Sequence, residues 1–470
     1  MLVIISDLHL TDGTSGETID EKAFRIFRNR VSDMAYDASW RMADDKADKA
    51  GGQYKPIERI DILFLGDIVD MIRSEQWNTR GEEDMPWTEQ RSEAFFDNIC
   101  KIAEGVLAFN KKSFAILKGI ANGGIKIPAS MTVLTSDKDK IEQKIGSVAS
   151  EEKFAPEVRI YYMVGNHDWF LYINDPRMDT IRNRIIDELG LANERDKPFP
   201  FYPSENPALL QTQIDHHVYA LHGDIFDKTN YRSPDRDRSS IGDVVVLKLL
   251  NEVPKTIEQE IRKPERIGTV QDIDEFIKEL HEIDNLRPYT LAPKWISEVI
   301  RKHGLDERLI NDCIRGALRK LIQDYTKNPL VSPHLGTVVL FKIAELMLKG
   351  HLTMEDLSTV IHWSGQDKND FESYRQHALE LADREDGRNK MFYIMGHTHD
   401  PEIVPMSSFT TGGKQYSQIY MNTGTWRTLH KEGIRDKTMI SYKTMTIAGF
   451  FKGDERMGHN FEFWTGSLDL

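Results

Sequence analysis

Apolar residues recur along this chain in two rhythms. Five short, mainly apolar runs (LVIIS, DILFL, RIYYMV, HHVYAL and KMFYIM) each end abruptly at a polar cluster. Short apolar runs rich in β-branched and aromatic residues, bounded by turn residues, predict strands with buried faces. Between them the pattern changes. Residues 20–48 are polar with scattered Phe24, Ile26, Phe27, Val31, Met34, Trp40 and Met42, which predicts a helix ending at Gly51-Gly52. Residues 87–120 also read as helical, and 121–156 form a Gly-, Lys- and Ser-containing excursion before RIYYMV. From 236 to 388 alternation disappears and helical periodicity takes over. Ile310, Ile314, Leu318, Leu321 and Tyr325 mark one face of an amphipathic helix, and 338–349 and 354–363 look similar. After 390 strands return in KMFYIMG, QIYMNTG, KTMTIAGFF and NFEFW.

This alternation predicts an α/β or layered α+β architecture. Residues 1–235 form the first part of a core, with excursions near 20–50 and 111–156, and residues 389–470 form its second part. The 236–388 stretch is a helical insertion emerging from the active-site side, or else a separate helical domain with no contact to that site. The chain shows no internal repeat and no low-complexity tract.

Composition narrows the classes. With 40% hydrophobic and 29% charged residues the chain has ample core material. No apolar run approaches the roughly 18–20 residues that span a bilayer. The start, MLVIISDLHL, has no basic region before its apolar stretch and reads as a core strand, not a signal peptide. Cys100 and Cys313 both sit in helix-like sequence, so no disulfide framework is implied and a cytoplasmic, reducing location is the default. A net charge of −14 disfavours nucleic acid as a partner, though it does not exclude a local basic groove.

The chemistry sits at the strand ends. In order they carry Asp7-Leu8-His9, Gly66-Asp67-Ile68-Val69-Asp70, Gly165-Asn166-His167-Asp168, His222-Gly223-Asp224 and Gly396-His397-Thr398-His399. Ligands at the carboxyl ends of several strands can converge on one point despite large sequence separations. Mixed carboxylate and imidazole sets suit Mn, Fe or Zn better than Ca or Mg. Asp7/His9 and His397/His399, two apart, point to one side of an extended chain. The glycines before Asp67, Asn166 and His397 permit tight turns that swing a ligand inward. Each cluster alone has a plain structural alternative, such as a solvated turn, an Asx turn or a satisfied histidine. Their conjunction, in order and each after a strand, is what points to a dinuclear metal centre and to hydrolysis of a phosphate ester.

These residues closely resemble the signature of the calcineurin-like metallophosphoesterase family: D-x-H, G-D-x-x-D, G-N-H-(D/E), H-(G) and G-H-x-H. The resemblance covers about 1–10, 58–110, 157–235 and 388–470. It implies a four-layer α/β/β/α sandwich, in which the large helical insertion has no counterpart, and two divalent metal ions, Mn first and Fe or Zn as alternatives. One metal would be held by Asp7, His9, Asp67 and His399, the other by Asp67 as bridge, Asn166, His222 and His397. A bridging hydroxide would attack phosphorus. His167 would act beside the metals as general acid or charge donor, with Asp70 holding its other ring nitrogen. Asp70 is alternatively a carboxylate at a helix N-terminus. Asp168 and Asp224 are supporting candidates, and His216 reads as structural.

Asn422-Thr423-Gly424-Thr425-Trp426, with His222-Gly-Asp-x-x-Asp227, is similar to the UDP-2,3-diacylglucosamine pyrophosphohydrolase-like branch. That branch usually carries Arg where this chain has His167, and its members are about half this length. The implied substrate is a phosphomonoester, phosphodiester or pyrophosphate, and the insertion's helices lack a sustained Lys/Arg-rich face, so a membrane-surface role is not supported. Arg232, Arg236 and Arg238 either clamp a phosphate tail or form a solvated charge run. An SbcD-like nuclease and a non-catalytic scaffold of the same fold are the competing readings.

Overall fold

The computed structural model describes residues 1–16, 18–42, 52–138, 141–232, 234–263, 270–287, 291–325, 328, 330, 366–384 and 386–468. The helices expected at 338–349 and 354–363 lie outside the described residues. Strands β1 (Leu2–Ile5), β2 (Arg59–Leu65) and β3 (Glu157–Met163) run parallel, with Ile4 opposite Leu63 and Leu63 opposite Tyr161. Strands β4 (Val218–Ala220), β5 (Phe392–Met395), β6 (Glu402–Thr411) and β7 (Lys414–Asn422) make a second sheet, ordered β4-β5-β7-β6. In it β4, β5 and β7 are parallel and β6 is antiparallel. Strands β8 (Thr428–Glu432), β9 (Met439–Phe450) and β10 (Phe461–Ser467) complete the first sheet, with β9 antiparallel to β1. The chain is thus mixed α/β with a central mixed sheet.

The period of two along each strand decides what packs where. Leu2, Ile4, Leu63, Leu65, Tyr161 and Met163 join Val218, Ala220, Phe392, Ile394 and Met421 in one apolar cluster shared by both sheets. The alternate residues Val3, Ile5, Ile62, Phe64, Ile160 and Tyr162 face a second cluster. That cluster is completed by helices α1 (Glu21–Ala38), α2 (Glu93–Phe109), α3 (Lys111–Gly119) and α4 (Asp179–Leu189). On the other sheet Tyr219, Leu221, Tyr393, Met395 and Tyr420 pack with Tyr374, Ala378 and Leu381 of helix α10 (Gln366–Asp383). Strands buried on both faces explain the nearly unbroken apolar runs in the sequence.

Helix α1 ends at Ala38, earlier than the expected 48. The Ser39 hydroxyl bonds the carbonyl of Ala35 and accepts the Ile57 amide, and Trp40–Arg41 then pairs with Gln53–Tyr54 as a short ribbon. Phe24, Phe27, Val31 and Met34 are buried as the spacing predicted, whereas Met42 is exposed. Within 87–120, α2 begins after Ser92, whose hydroxyl accepts the Phe95 amide. The excursion at 121–156 contains a hairpin, Met131–Lys138 with Ile141–Ala149.

Helices α6 (Glu252–Ile261), α7 (Val270–Leu280), α8 (Ala292–Lys302) and α9 (Glu307–Tyr325) follow, α5 being Pro207–Asp215. Ile257, Ile261, Phe276, Trp295, Val299, Ile310 and Ile314 build an apolar cluster of their own. No described helix is long and apolar enough to cross a membrane.

Candidate metal centre

Every predicted ligand lies just beyond the carboxyl end of a strand: Asp7 and His9 after β1, Asp67 after β2, Asn166 after β3, His222 after β4, His397 and His399 after β5. Because these strands are parallel within each sheet, their ends share one edge. The loops are then tied to one another by backbone. Asp7 N donates to Gly66 O (3.1 Å), His9 N to Asp67 O (2.8 Å) and Gly396 N to His222 O (2.9 Å). Across the sheets, the His397 amide donates to Asp7 Oδ1 at 3.0 Å; within the first sheet, the His167 amide donates to Asp67 Oδ1 at 2.8 Å.

The turns that aim the ligands are costly for L-residues. Asp7, His9, Asp67, His397 and His399 all have left-handed backbone, with φ between 46° and 69°. Asp and His tolerate this region better than most residues, and such geometry persists where the surroundings over-determine it. Gly66 is needed for closeness as well as for its φ of 83°: a Cβ there would lie 2.6 Å from His222 Nδ1. A Cβ on Gly165 would lie 2.8 Å from His222 Nε2.

Ring tautomers are fixed from behind. His222 Nδ1 donates to the Leu65 carbonyl at 2.8 Å, leaving Nε2 as a lone pair. His397 Nε2 donates to Asp227 Oδ2 at 3.2 Å, leaving Nδ1. These two lone pairs face Asn166 Oδ1 at 3.2 and 2.9 Å, and His222 Nε2 faces Asp67 Oδ2 at 3.2 Å. Four acceptors therefore converge, an arrangement that could hold a cation. Burial opposes the imidazolium of His222, yet Asp67 and Asp7 hold its pKa well above the usual range.

A second group adjoins the first. His9 Nε2 lies 2.9 Å from His399 Nε2, 3.7 Å from Asp67 Oδ2 and 3.9 Å from Asp7 Oδ1, and His399 Nε2 lies 3.5 Å from Asp7 Oδ1. Ligands bound at 2.0–2.1 Å in octahedral array sit roughly 2.9 Å apart, so these spacings suit a shared coordination sphere. Asp67 belongs to both groups, as a bridging carboxylate must. The donor set fits two divalent cations: Asp7, His9, Asp67 and His399 for one, Asp67, Asn166, His222 and His397 for the other.

His167 stands beside the pair, its ring 4.5 Å from that of His9 in an edge contact. Asp70 Oδ2 accepts from His167 Nδ1 at 2.9 Å and also from His9 Nδ1 at 3.0 Å, while Oδ1 accepts the amides of Ile72 and Arg73. Asp70 thus pairs with His167 and caps a turn, and because the next helical turn starts only at Glu75 under Ser74, the helix N-terminus alternative does not hold. The bond to His9 was not foreseen. Burial works against a charged His167, but the carboxylates of Asp70 and Asp67 outweigh it and push its pKa up to about 9. Burial also opposes the charge on Asp70, which His167 and His9 nevertheless hold well below the ordinary range.

The supporting candidates have definite places. Asp168 accepts the amides of Gly165 and Ile68 and the Tyr162 hydroxyl, which fixes the turn carrying Asn166. Asp224 pairs with Arg236, whose guanidinium also donates to the Gly165 carbonyl. Arg236 is buried over the Phe201 ring, so it braces this turn and is not a free phosphate clamp. Arg238 pairs with Asp235 at the surface, and Arg232 is exposed. His216 is buried with Nδ1 on the Thr212 carbonyl, as a structural histidine.

Arg287 had no sequence signal, because it lies inside the helical stretch far from any motif. Its Nη2 donates to His399 Nδ1 at 2.7 Å, which puts the ring proton on Nε2, so a cation would be held through His399 Nε2 only once this contact opens. Its amide donates to the His430 carbonyl, next to the bridge between Leu286 and His430. Residues of the 236–388 stretch therefore touch the site. Asp227 was visible only as the end of His-Gly-Asp-x-x-Asp, with no role attached. Comparison of the chain with protein-family models, with curated proteins and with solved structures finds no match.

Proposed function

We propose that this chain is a dinuclear-metal-dependent phosphoesterase of the calcineurin-like kind, a four-layer α/β/β/α sandwich carrying a helical insertion at 236–388. The observation that carries this reading is the convergence of His222 Nε2, His397 Nδ1, Asn166 Oδ1 and Asp67 Oδ2 beside the Asp7-His9-His399 group. Three buried carboxylates (Asp7, Asp67 and Asp70) at one place are most simply neutralised by cations, and the imidazole share favours Mn, with Fe or Zn as alternatives. When bound, two such ions supply Lewis acidity toward phosphoryl oxygens and lower the pKa of water.

The chain's own residues do the rest. Asp67 and the backbone bonds between loops hold the two ligand groups together, so that Asp67 would be shared by both ions. His167, with Nδ1 held by Asp70, presents Nε2–H toward a leaving alkoxide and gives up its proton as the phosphorus–oxygen bond breaks. Asp70 holds the ring orientation of both His9 and His167, so binding and proton transfer depend on one carboxylate. The substrate class is a phosphoester, nucleotide-like in the favoured case, and the two free cysteines are compatible with a cytoplasmic setting.

The test is a metal titration. Stripped protein is expected to bind two Mn²⁺ per chain by calorimetry and to gain hydrolysis of bis-p-nitrophenyl phosphate in step with the second ion. Two-ion binding without turnover of any phosphoester would favour the scaffold reading. Cleavage of single-stranded DNA that falls steeply with salt would favour the nuclease reading.

A further inference from the structure

Two buried arginines lie beside this centre and take no part in the mechanism above. Arg73 and Arg427 are both at most 2% exposed, and both are anchored to the metal-binding loops. The Arg73 amide donates to Asp70 Oδ1 at 2.9 Å. The Arg427 amide donates to Thr425 Oγ1 at 3.2 Å, whose hydroxyl donates to the Asp7 carbonyl at 2.6 Å. The two guanidinium groups converge over Gly16, where a Cβ would meet Arg73 Nη2 at 3.0 Å and Arg427 Nη2 at 3.2 Å.

What faces them comes from the helical stretch. Asp284 Oδ2 lies 3.2 Å from Arg73 Nη1 and 3.0 Å from Arg427 Nη1, and Glu282 lies 3.6 Å from Arg427 Nη2. One carboxylate oxygen shared by two forks leaves much of their capacity unused. Buried Arg73 Nε and Nη1 and Arg427 Nε and Nη2 have no hydrogen-bond partner among the described residues. A guanidinium presents its donors in a planar fork that matches two oxygens of one anion, and a phosphate group has oxygens enough for both forks.

We propose that Arg73 and Arg427 form an anion subsite beside the metal centre, which Asp284 fills in the free chain and a second phosphate group of the substrate takes over on binding. This rests on the phosphoesterase reading and narrows it to esters of diphosphate type. Both arginines are covered by the segment His281–Arg287. Arg73 Nη2 donates to the His281 carbonyl at 2.8 Å, and Arg287 reaches His399 from the same segment. Displacing Asp284 therefore loosens the contact at a metal ligand as well, which couples substrate choice to the centre.

The probe is inorganic pyrophosphate with the metal-stripped full chain, where the carboxylates of the centre repel anions and only the subsite attracts them. Pyrophosphate is expected to bind the wild type and to raise amide hydrogen exchange across 281–287. In Asp284→Asn its affinity rises on the order of ten-fold, and in Arg427→Lys it falls by a similar factor. If pyrophosphate leaves exchange at 281–287 unchanged, the arginines only dock the helices and the proposal is overturned. That readout needs no variant, so it stands even where Asp284→Asn fails to fold. Equal affinity in a folded Asp284→Asn overturns it too. Hydrolysis of bis-p-nitrophenyl phosphate by the Mn²⁺-loaded wild type is assayed alongside. Pyrophosphate binding that opens the segment without any turnover supports the subsite and sinks the phosphoesterase reading. Turnover without a pyrophosphate effect does the reverse.

Discussion

The strand-end loops and the 252–325 helices are built on opposite principles. In the loops, charged and polar side chains are buried, five backbones are left-handed, and Asp7, His9, Asp67, His222 and His397 are each held by an amide, a carbonyl or a carboxylate from another segment. In the helices, order comes from an apolar stripe that closes on itself around Phe276 and Trp295. Their charges pair at the surface one turn apart, as Arg262 with Glu258 and Lys263 with Glu260. Such exposed pairs contribute little to stability. The first kind of region fixes atoms to a fraction of an ångström and tolerates little change. The second needs only the right apolar face, and so can vary in what it presents to a substrate. Among the described residues it meets the loops through the His281 carbonyl, Glu282 and Asp284 on the two arginines, and through Arg287 on His399, with Leu286 beside His430.

Four substitutions probe that contrast. Asp67→Asn removes the carboxylate common to both metal groups; we expect loss of all hydrolysis and fewer than two bound Mn²⁺ by calorimetry. A variant that keeps two ions and measurable turnover would refute the bridging role. His167→Gln should retain both ions while kcat falls about 10²–10⁴-fold on an alkyl leaving group. On p-nitrophenolate, which needs no proton, the fall should be much smaller. Equal losses on both esters would reduce His167 to a charge donor.

Phe276→Ala acts on the other region. Emptying a fully buried ring costs about 3–5 kcal/mol, read as a lower denaturation midpoint. Metal stoichiometry should stay at two, since among the described residues that cluster contains none of the proposed ligands. Loss of metal binding would show that the helices hold the loops in place.

The smallest effect concerns pH. Burial lowers the pKa of His216 to about 3 in the folded chain, and the unfolded chain keeps the ordinary value near 6.5. Between those values the unfolded state binds the extra proton, so stability is full above about pH 6.5 and declines as pH falls toward 3. The slope is about 1.4 kcal/mol per pH unit. His216→Gln, which keeps a donor for the Thr212 carbonyl, should flatten that acid limb by one proton in urea titrations at several pH values. An unchanged slope would mean the folded chain accommodates the charge.

Much of the centre was legible because its residues sit at fixed offsets from strand ends. Gly66-Asp67 and Gly165-Asn166 advertise both the turn and the ligand, since only glycine leaves room beside His222. The alternation of Leu2/Ile4 against Val3/Ile5 likewise followed from the strand period. Helix α1 was overextended because Ser39 and the ribbon at Trp40 depend on Tyr54 and Ile57, which local periodicity does not register. Arg236 was open between two roles until its partner, the Gly165 carbonyl, was in view.

The sequence by itself determined the strand runs, the ligand types and the order in which they occur, because side-chain chemistry and the period of two are local properties. Only the tertiary structure decided which lone pairs face each other, that Asp70 serves His9 as well as His167, and that Asp284 reaches Arg73 and Arg427. Those contacts join residues separated by tens to hundreds of positions, and hydrogen-bond geometry and burial exist only once the chain has brought them together.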